Sequence, residues 1–233
     1  MDLNGAVAVV TGGSGGLGGR ICHSLAAAGS KVAVLYDQGR EKAENLVDEL
    51  VAEGSVAEAI HCDVTDPDKV DAMVAQVLTS FGRLDILVND AGYNKWIPFD
   101  DIDALTYADW NKLIDVNLTG PMLTIKAASR PMKAQGSGRI VNISSVAGIA
   151  PTGSSIGYAV AKSGLIHLTK CMAVGLAPDI LVNCISPGYL EGTKMSMNLA
   201  PKYQKAAVEG SLLQRAADKD DIARQVVAFC ATD

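Results

Sequence analysis

The fold is decided by the stretch Thr11-Gly12-Gly13-Ser14-Gly15-Gly16-Leu17-Gly18, which follows the first apolar run of the chain. Glycines in such a turn accept positive φ angles and let backbone N–H groups approach a bound phosphate. A helix that begins here would add its free N–H groups and its dipole, which both favour an anion. Ordinary turns are also rich in glycine, so the meaning of the stretch depends on its surroundings.

Six apolar runs of strand length alternate with amphipathic helical segments along the chain. The runs are β-branched or continuously apolar, which is typical of strands covered on both faces. Repeated strand–helix alternation predicts one α/β domain over residues 1–233: a Rossmann-type, doubly wound parallel sheet flanked by helices on both faces. The predicted strands are Ala6–Thr11, Lys31–Tyr36, Val56–His61, Leu84–Asn89, Arg139–Ser144 and Ile180–Ile185.

In that setting the glycine-rich stretch, called the glycine loop below, predicts a dinucleotide site between a strand and a helix. Two alternatives use the same residues. The G-x-S-x-G elbow of hydrolases also fits, but only eleven residues precede Gly12, too few for the strand and loop that complete such a site. A methyltransferase would leave the residues around Tyr158 unexplained. The predicted dinucleotide contacts in the loop are Gly12, Ser14, Gly16, Leu17 and Gly18.

Composition excludes several classes of function. The chain has 233 residues, of which 48% are hydrophobic and 20% charged, so it can bury a core. A net charge of −6 argues against nucleic acid as a partner. The sequence has neither an apolar run of membrane length nor a signal-peptide pattern, which predicts a cytoplasmic protein that does not enter a membrane. Scattered cysteines and histidines predict reduced thiols and no metal site.

Asp37 closes the second predicted strand and bears on the choice of cofactor. A carboxylate at this position accepts hydrogen bonds from ribose hydroxyls and repels a 2′-phosphate, which favours NAD. Arg40 is an opposing observation, because its guanidinium could reach a 2′-phosphate. The sequence therefore predicts NAD in preference to NADP and leaves NADP open.

Tyr158 and Lys162 are candidate catalytic residues on one face of a predicted helix. The spacing of four residues places both side chains together. A tyrosine with a pKa of about 10 is a poor proton-transfer group at neutral pH. A lysine ammonium nearby is expected to lower that pKa and make the pair a proton donor and acceptor. The pattern is common on helices, so its neighbours decide its meaning.

With these motifs in order, the chain resembles the short-chain dehydrogenase/reductase family in its compact form, from about residue 3 to the end. The resemblance implies an enzyme that transfers hydride between a nicotinamide dinucleotide and a small alcohol or ketone. The motifs that carry it are the glycine loop, Asp63, Asn89-Asp90-Ala91-Gly92, Asn117, Ser144-Ser145, Tyr158-x-x-x-Lys162 and Pro187-Gly188.

The resemblance also implies catalytic roles. Tyr158 would be the general acid in reduction and the general base in oxidation. Ser145 would hydrogen-bond the substrate oxygen, a role for which Ser144 is less suited. Lys162 would hold the nicotinamide ribose and tune Tyr158, and Asn117 would bend its helix and bind a water that relays protons.

The cofactor roles that the family implies extend along the chain. Asp63 would bind the adenine amino group, Pro187-Gly188 would line the nicotinamide, and Thr193 would bond its carboxamide. Beyond the glycine loop, the predicted cofactor residues are Asp37, Asp63, Val64, Asn89, Ala91, Gly92, Tyr158, Lys162, Pro187, Gly188 and Thr193.

The substrate is predicted to be a hydrophobic or cyclic secondary alcohol or ketone, covered by a structureless lid over residues 188–213, called the lid segment below. A 3-oxoacyl-thioester reductase is the alternative, although Ala177-Pro178-Asp179 lacks the basic residues that suit an acidic carrier protein. A dinucleotide sensor without turnover is a third hypothesis. Family habit implies a homotetramer or a homodimer. The predicted substrate residues are Tyr93, Asn94, Trp96, Ser145, Tyr158 and Tyr189.

Three features depart from the family pattern. Asp90 replaces the second asparagine of Asn-Asn-Ala-Gly, so the local hydrogen bonding must differ. Thr193 stands one residue later than usual. The chain ends at Asp233, before the short last strand of the family, which predicts a weaker assembly and an exposed sheet edge.

Overall fold

The computed structural model of the protein describes residues 1–232. Its strands are β1 (Val7–Thr11), β2 (Lys31–Tyr36), β3 (Ala57–His61), β4 (Ile86–Asn89), β5 (Gly138–Ile143) and β6 (Ile180–Ile185). Within the described residues they form one parallel sheet in the order β3-β2-β1-β4-β5-β6. The strand order reverses beside β1, so the carboxyl ends of β1 and β4 open a crevice where ligands of such sheets bind.

Helices cover both faces of this sheet. They are α1 (Gly16–Ala27), α2 (Arg40–Ala52), α3 (Pro67–Phe81), α4 (Tyr107–Ile114), α5 (Gly120–Gln135), α6 (Ile156–Leu176), α7 (Lys194–Met197), α8 (Pro201–Glu209) and α9 (Lys219–Ala231). Side chains of α1, α2 and α9 share one buried apolar cluster with β1 and β2. Side chains of α3, α5 and the end of α6 share a second cluster on the opposite face.

A buried carboxylate fixes β4 beside β1. Asp85, just before β4, is fully buried and accepts a hydrogen bond of 2.9 Å from the backbone N–H of Val7. Arg83 supplies the countercharge through two hydrogen bonds of 2.7 and 2.8 Å. The register then places Thr11 opposite Asn89 at the far ends of the two strands, where the crevice opens.

The predicted fold class is confirmed; two of the six predicted strands match the observed bounds, and the other four differ by one or two residues at their ends. The largest difference is at β4, which begins at Ile86 rather than Leu84. The Gln135 side chain hydrogen-bonds both the N–H and the carbonyl of Leu84, so a side chain replaces the sheet partner there.

The prediction that the lid segment is structureless is wrong. It contains α7 and α8, because local signals nucleate each helix. Thr193 and Ser196 form a reciprocal capping box at the start of α7, and Pro201 occupies the first turn of α8. Both helices are short, which explains why no apolar period marks them.

Among residues 1–232, no helix has both the length and the apolar character needed to cross a membrane. In the same range, no three His, Cys, Asp or Glu side chains come together as metal ligands.

Candidate active site

A cavity of about 1120 Å³ lies at the carboxyl edge of the sheet, between the glycine loop, the start of α6 and the lid segment. It brings together residues from the whole length of the chain. The predicted site residues that line it are Gly12, Ser14, Gly16, Leu17, Asp37, Asp63, Val64, Ala91, Gly92, Tyr93, Asn94, Ser145, Tyr158, Lys162, Pro187, Gly188, Tyr189 and Thr193. Gly18, Asn89, Trp96 and Asn117 are outside its lining.

The glycine loop forms a close-packed cradle beside the amino end of α1. Gly12 has a φ of 67°, and a Cβ on it would lie 2.9 Å from the Cα of Ala91. A Cβ on Gly18 would lie 2.3 Å from the carbonyl oxygen of Gly12. Gly18, predicted to contact the dinucleotide, packs against the backbone of Gly12 and Gly13 and is outside the cavity lining. The open first turn of α1 faces the cavity and suits a pyrophosphate.

Asp37 lies at the other end of the cavity, after β2. Its carboxylate is 4.0 Å from Nε2 of His61, and more than half of its side chain is exposed. Arg40 turns away from it and donates a hydrogen bond of 2.7 Å to Glu44. Asp37 therefore lines the cavity, and Arg40 does not.

Asp63 is held as a carboxylate acceptor at the adenine end. Its Oδ1 accepts hydrogen bonds from the Thr65 hydroxyl at 2.7 Å and from the Thr65 N–H at 3.0 Å. These bonds, led by the hydroxyl, lower the pKa of Asp63 below its ordinary value. The carboxylate thus stays ionised at neutral pH and can accept from an amino group.

Tyr158 and Lys162 project from the first two turns of α6. Ser155 caps this helix by accepting a hydrogen bond from the Tyr158 N–H at 3.3 Å. The Lys162 ammonium donates to the carbonyl of Ile143 at 2.8 Å and lies 5.8 Å from the centre of the Tyr158 ring. Both side chains are at least nine-tenths buried. The end of β5 thus sets where the ammonium sits.

Two adjacent serines at the end of β5 face different partners. The Ser145 hydroxyl accepts a hydrogen bond from the Ala147 N–H at 3.1 Å, and its interaction with Tyr158 lowers the pKa of that phenol. The Ser144 hydroxyl donates to the backbone carbonyl of Lys162 at 2.8 Å. Ser145 therefore shares the cavity floor with Tyr158, while Ser144 braces α6 against β5.

The acid–base properties of the pair differ from the expectation. Burial raises the pKa of Tyr158 to about 12, against a smaller lowering by the Ser145 hydrogen bond. Burial also lowers the pKa of Lys162 to about 8. The expected lowering of the Tyr158 pKa is therefore wrong for this structure, because desolvation of the phenolate outweighs any attraction to an ammonium that burial itself weakens.

Asn117 occupies a π-helical turn, Asp115–Thr119, between α4 and α5. Its Oδ1 accepts from the Tyr93 N–H at 3.2 Å, and its Nδ2 donates to the carbonyls of Tyr93 and Leu113 at 2.7 and 2.8 Å. The helix is distorted at this point, as the family implied. Both donors of the buried amide are occupied, so the side chain ties the Tyr93 loop to the helix.

Asn89, one of the predicted cofactor residues, has its side chain turned into the sheet. Its side chain is buried beneath the cavity, where it donates to Asn142 at 2.8 Å and accepts from Thr124 at 2.7 Å. These bonds join β4 to β5 and α5. The side chain is therefore committed to the sheet and does not reach the cavity.

A model of the short chain dehydrogenase family matches residues 6–204. The chain belongs to the short-chain dehydrogenase family. It is 40% identical over 198 residues to a 3-oxoacyl-(acyl-carrier-protein) reductase of Synechocystis sp., an alignment that covers 84% of this chain and 78% of that protein. It is 36% identical over 235 residues to a 3-alpha-(or 20-beta)-hydroxysteroid dehydrogenase of Mycobacterium bovis, covering 99% and 84%. An NAD+-bound xylitol dehydrogenase superposes with a TM-score of 0.91 at 30% identity, covering 100% of this chain and 95% of that one.

This short-chain dehydrogenase is thus an NAD(P)-dependent oxidoreductase that acts on CH–OH groups. Solved structures of the family hold either NAD+ or NADPH. The glycine cradle and the open amino end of α1 fit the pyrophosphate of such a dinucleotide, because side chains larger than glycine would fill the space.

The lid segment of this short-chain dehydrogenase is fastened to the site by Asn94, a predicted substrate residue, and by Tyr203, which the sequence did not single out. Asn94 donates to the Met195 carbonyl at 2.9 Å and accepts from Asn198 at 3.0 Å. The Tyr203 hydroxyl accepts from the Gly153 N–H at 2.8 Å and bonds the Thr152 hydroxyl at the same distance. No periodic signal in α8 marks Tyr203, so only the tertiary structure identifies it.

Two predicted site residues, Trp96 and Thr193, make contacts within the protein in or beside the lid segment. Trp96 was predicted to bind substrate, but it packs on the Tyr203 ring at 5.2 Å between centres and lines a neighbouring cleft of about 320 Å³. The Thr193 hydroxyl accepts from the Ser196 N–H at 3.1 Å as the cap of α7. A contact between Thr193 and the carboxamide stays a prediction.

Proposed function

We propose that this enzyme oxidises a small hydrophobic or cyclic secondary alcohol to the ketone with NAD+. The observation that carries the proposal is the convergence of the Tyr158 hydroxyl, the Ser145 hydroxyl and the Lys162 ammonium on the floor of one cavity. The test is to follow absorbance of the reduced nicotinamide with a panel of alcohols and ketones. Tight dinucleotide binding with no turnover on any of them would favour the sensor hypothesis instead.

The residues divide the chemistry between them. A bound nicotinamide dinucleotide supplies the hydride acceptor or donor. In oxidation, Tyr158 takes the proton of the substrate hydroxyl, and in reduction it returns that proton to the oxygen. Ser145 hydrogen-bonds the same oxygen and stabilises the charge that develops on it. Lys162, fixed by the Ile143 carbonyl, places its amino group beside Tyr158, where its protonated form favours proton release from the phenol.

A 3-oxoacyl-thioester reductase is the second candidate. It is supported by the 40% identity to the Synechocystis reductase. Against it, the segment after α6 ends in Pro178-Asp179, and an acid there repels an acidic carrier protein. Reduction of a free short 3-oxoacyl thioester, with no activity on secondary alcohols, would favour this candidate.

NAD preference is the finer part of the cofactor proposal, and it rests on Asp37. Replacing Asp37 by Ser should raise the ratio of kcat/KM with NADP to that with NAD by about fivefold or more, the size of an exposed charge interaction of about 1 kcal/mol. Initial rates with both dinucleotides measure the ratio. Arg40→Ala is the companion variant, and it should leave the ratio nearly unchanged because Arg40 pairs with Glu44. A wild-type enzyme that already prefers NADP contradicts the proposal.

We propose that residues 188–213 act as the substrate lid, with Tyr203 as its latch. Replacing Tyr203 by Phe should raise the KM for the substrate by roughly fivefold, because it removes hydrogen bonds worth about 1 kcal/mol net. We expect kcat to change by less than about twofold, since the hydroxyl holds the lid rather than the reacting atoms. Steady-state kinetics separate the two constants.

The matched control for the latch is Tyr107→Phe. Tyr107 lies on α4 with 82% of its surface exposed, so it loses a hydroxyl without touching the lid. A Tyr203→Phe variant that lowers kcat at unchanged KM would show that the residue acts in chemistry instead of closure.

Assembly and location complete the proposal. We expect a homotetramer or homodimer in the cytoplasm, as the family resemblance implies. Sedimentation equilibrium of the purified enzyme tests the first expectation, and a monomer at enzyme-assay concentration would contradict it.

A further inference from the structure

Asp90 is a carboxylate placed between the glycine loop and the catalytic pair. It directly follows β4, and its N–H donates to the Thr11 hydroxyl at 3.1 Å. The backbone N–H of Gly18, in the first turn of α1, donates to its carboxylate. The residue is half-buried, and the part that stays exposed faces the central cavity.

Strand register brings Asp90 close to Lys162. Asn89 pairs with Asn142 across β4 and β5, so Asp90 follows beside Ile143. The carbonyl of Ile143 is the acceptor for the Lys162 ammonium at 2.8 Å. Asp90 thus lies beside the strand end that holds the Lys162 ammonium, and both residues line the central cavity.

The charged and titratable groups around Asp90 come from two helices. Lys162 and Tyr158 of α6 interact with it electrostatically, as does the buried thiol of Cys22 on α1. Lys162 is also influenced by Cys184 of β6. The carboxylate of Asp90 favours the protonated form of each neighbour, because it attracts the Lys162 ammonium and repels the phenolate or thiolate that Tyr158 or Cys22 would form.

Asp90 is ionised above neutral pH. Burial raises the pKa of Asp90 to about 7, with Lys162 acting in the opposite direction. In the alkaline range in which alcohol oxidation is followed, the residue therefore carries a negative charge close to Lys162 and Tyr158.

We propose that Asp90 is a positioning residue of the catalytic pair: its carboxylate holds protons on Lys162 and Tyr158 and moves the working range of the enzyme to higher pH than an asparagine would. The proposal rests on the function proposed above. The direction of the pH shift does not depend on whether Lys162 or Tyr158 deprotonates first, because an anion nearby makes proton loss harder from either one. Coupled groups of this kind titrate as a unit.

The test is the pH profile of kcat/KM for alcohol oxidation in the Asp90→Asn variant. Asparagine matches the shape of Asp90 and keeps an oxygen for the Gly18 N–H, but it carries no charge. The alkaline-rising limb should move to lower pH by about one unit, the lower end of what a nearby charge produces. A limb that stays in place or moves to higher pH overturns the proposal.

Asp71→Asn is the control for net charge. Asp71 lies on α3 and pairs with Arg130 at 3.2 Å on the surface. The alkaline-rising limb of the Asp71→Asn profile should therefore coincide with that of the wild type. A purely structural role of Asp90 would lower the thermal midpoint or raise the cofactor KM of Asp90→Asn and leave the limb where it is. That outcome also counts against the proposal.

A measurement without turnover separates this proposal from the proposed function. Coupling between two groups is reciprocal, so replacing Lys162 by Met must raise the pKa of Asp90 in a ¹³C NMR titration of its carboxyl carbon. An Asp90 titration that is the same in wild type and Lys162→Met overturns the proposal even if Asp90→Asn fails to fold. If the wild type turns over no alcohol or ketone, the proposed function fails while this titration still decides the role of Asp90.

Discussion

Tyr158→Phe should lose turnover in both directions by a factor of about 10² to 10⁴, the contribution typical of a positioned general acid or base. The variant removes one oxygen and leaves a ring of the same shape packed against Leu113 and Ala147. Dinucleotide affinity should therefore stay within about twofold of the wild type, since the glycine loop and Asp37 are untouched. Steady-state kinetics and quenching of protein fluorescence by the dinucleotide measure the two quantities.

Tyr107→Phe again serves as the hydroxyl control and should keep full activity. Tyr158→Phe with near-normal turnover would exclude Tyr158 as the proton-transfer group. Loss of turnover together with loss of dinucleotide binding would point to a disturbed fold, and the thermal midpoint of the variant tells the two apart.

Gly18→Ala should weaken dinucleotide binding by roughly tenfold or more and lower the thermal midpoint, because overpacking of this kind costs about 1–3 kcal/mol. The added methyl would lie 2.3 Å from the Gly12 oxygen and 2.9 Å from the Gly13 Cα. Both contacts are backbone atoms of the cradle, so the loop itself must move. Dinucleotide titration and thermal denaturation measure the two effects.

The neighbouring Gly19 offers a matched control on the same helix. A Cβ there meets its nearest atom, the Gly13 oxygen, at 3.7 Å, which is an ordinary contact. Gly19→Ala should stabilise the protein by about 0.5–1 kcal/mol, because alanine loses less conformational entropy than glycine in a helix. Equal effects of the two substitutions would contradict the close-packed cradle.

The sheet and the cavity floor were predictable because each depends on local patterns. Continuous apolar runs and their punctuation predicted the strands of a parallel sheet. The spacing of Tyr158 and Lys162 predicted that they share a helical face. In both cases the signal lies within a few residues of the feature. Ser145 was identified differently, through the family resemblance, because its place beside Tyr158 depends on how the end of β5 meets the start of α6.

Other features depend on contacts between distant segments. Tyr203 joins the site only because α8 folds back onto Gly153, fifty residues earlier in the chain. Asn89 follows β4 in the expected motif, yet its partners on β5 and α5 decide that it faces the sheet interior. The high pKa of Tyr158 comes from burial, which the spacing to Lys162 does not report.

The packing of α9 against α1 has a consequence for the order in which the site forms during synthesis. Ala223 and Val226 of α9 share a buried cluster with Ile21 of α1, and Arg20 makes paired hydrogen bonds of 2.5 and 2.6 Å with Asp220. The helix whose amino end would hold the pyrophosphate is thus supported by a segment that follows all six strands in the chain. A nascent chain can complete most of the sheet before that support arrives. Dinucleotide binding then becomes a late event, and free dinucleotide can stabilise the finished protein but not its growing precursor.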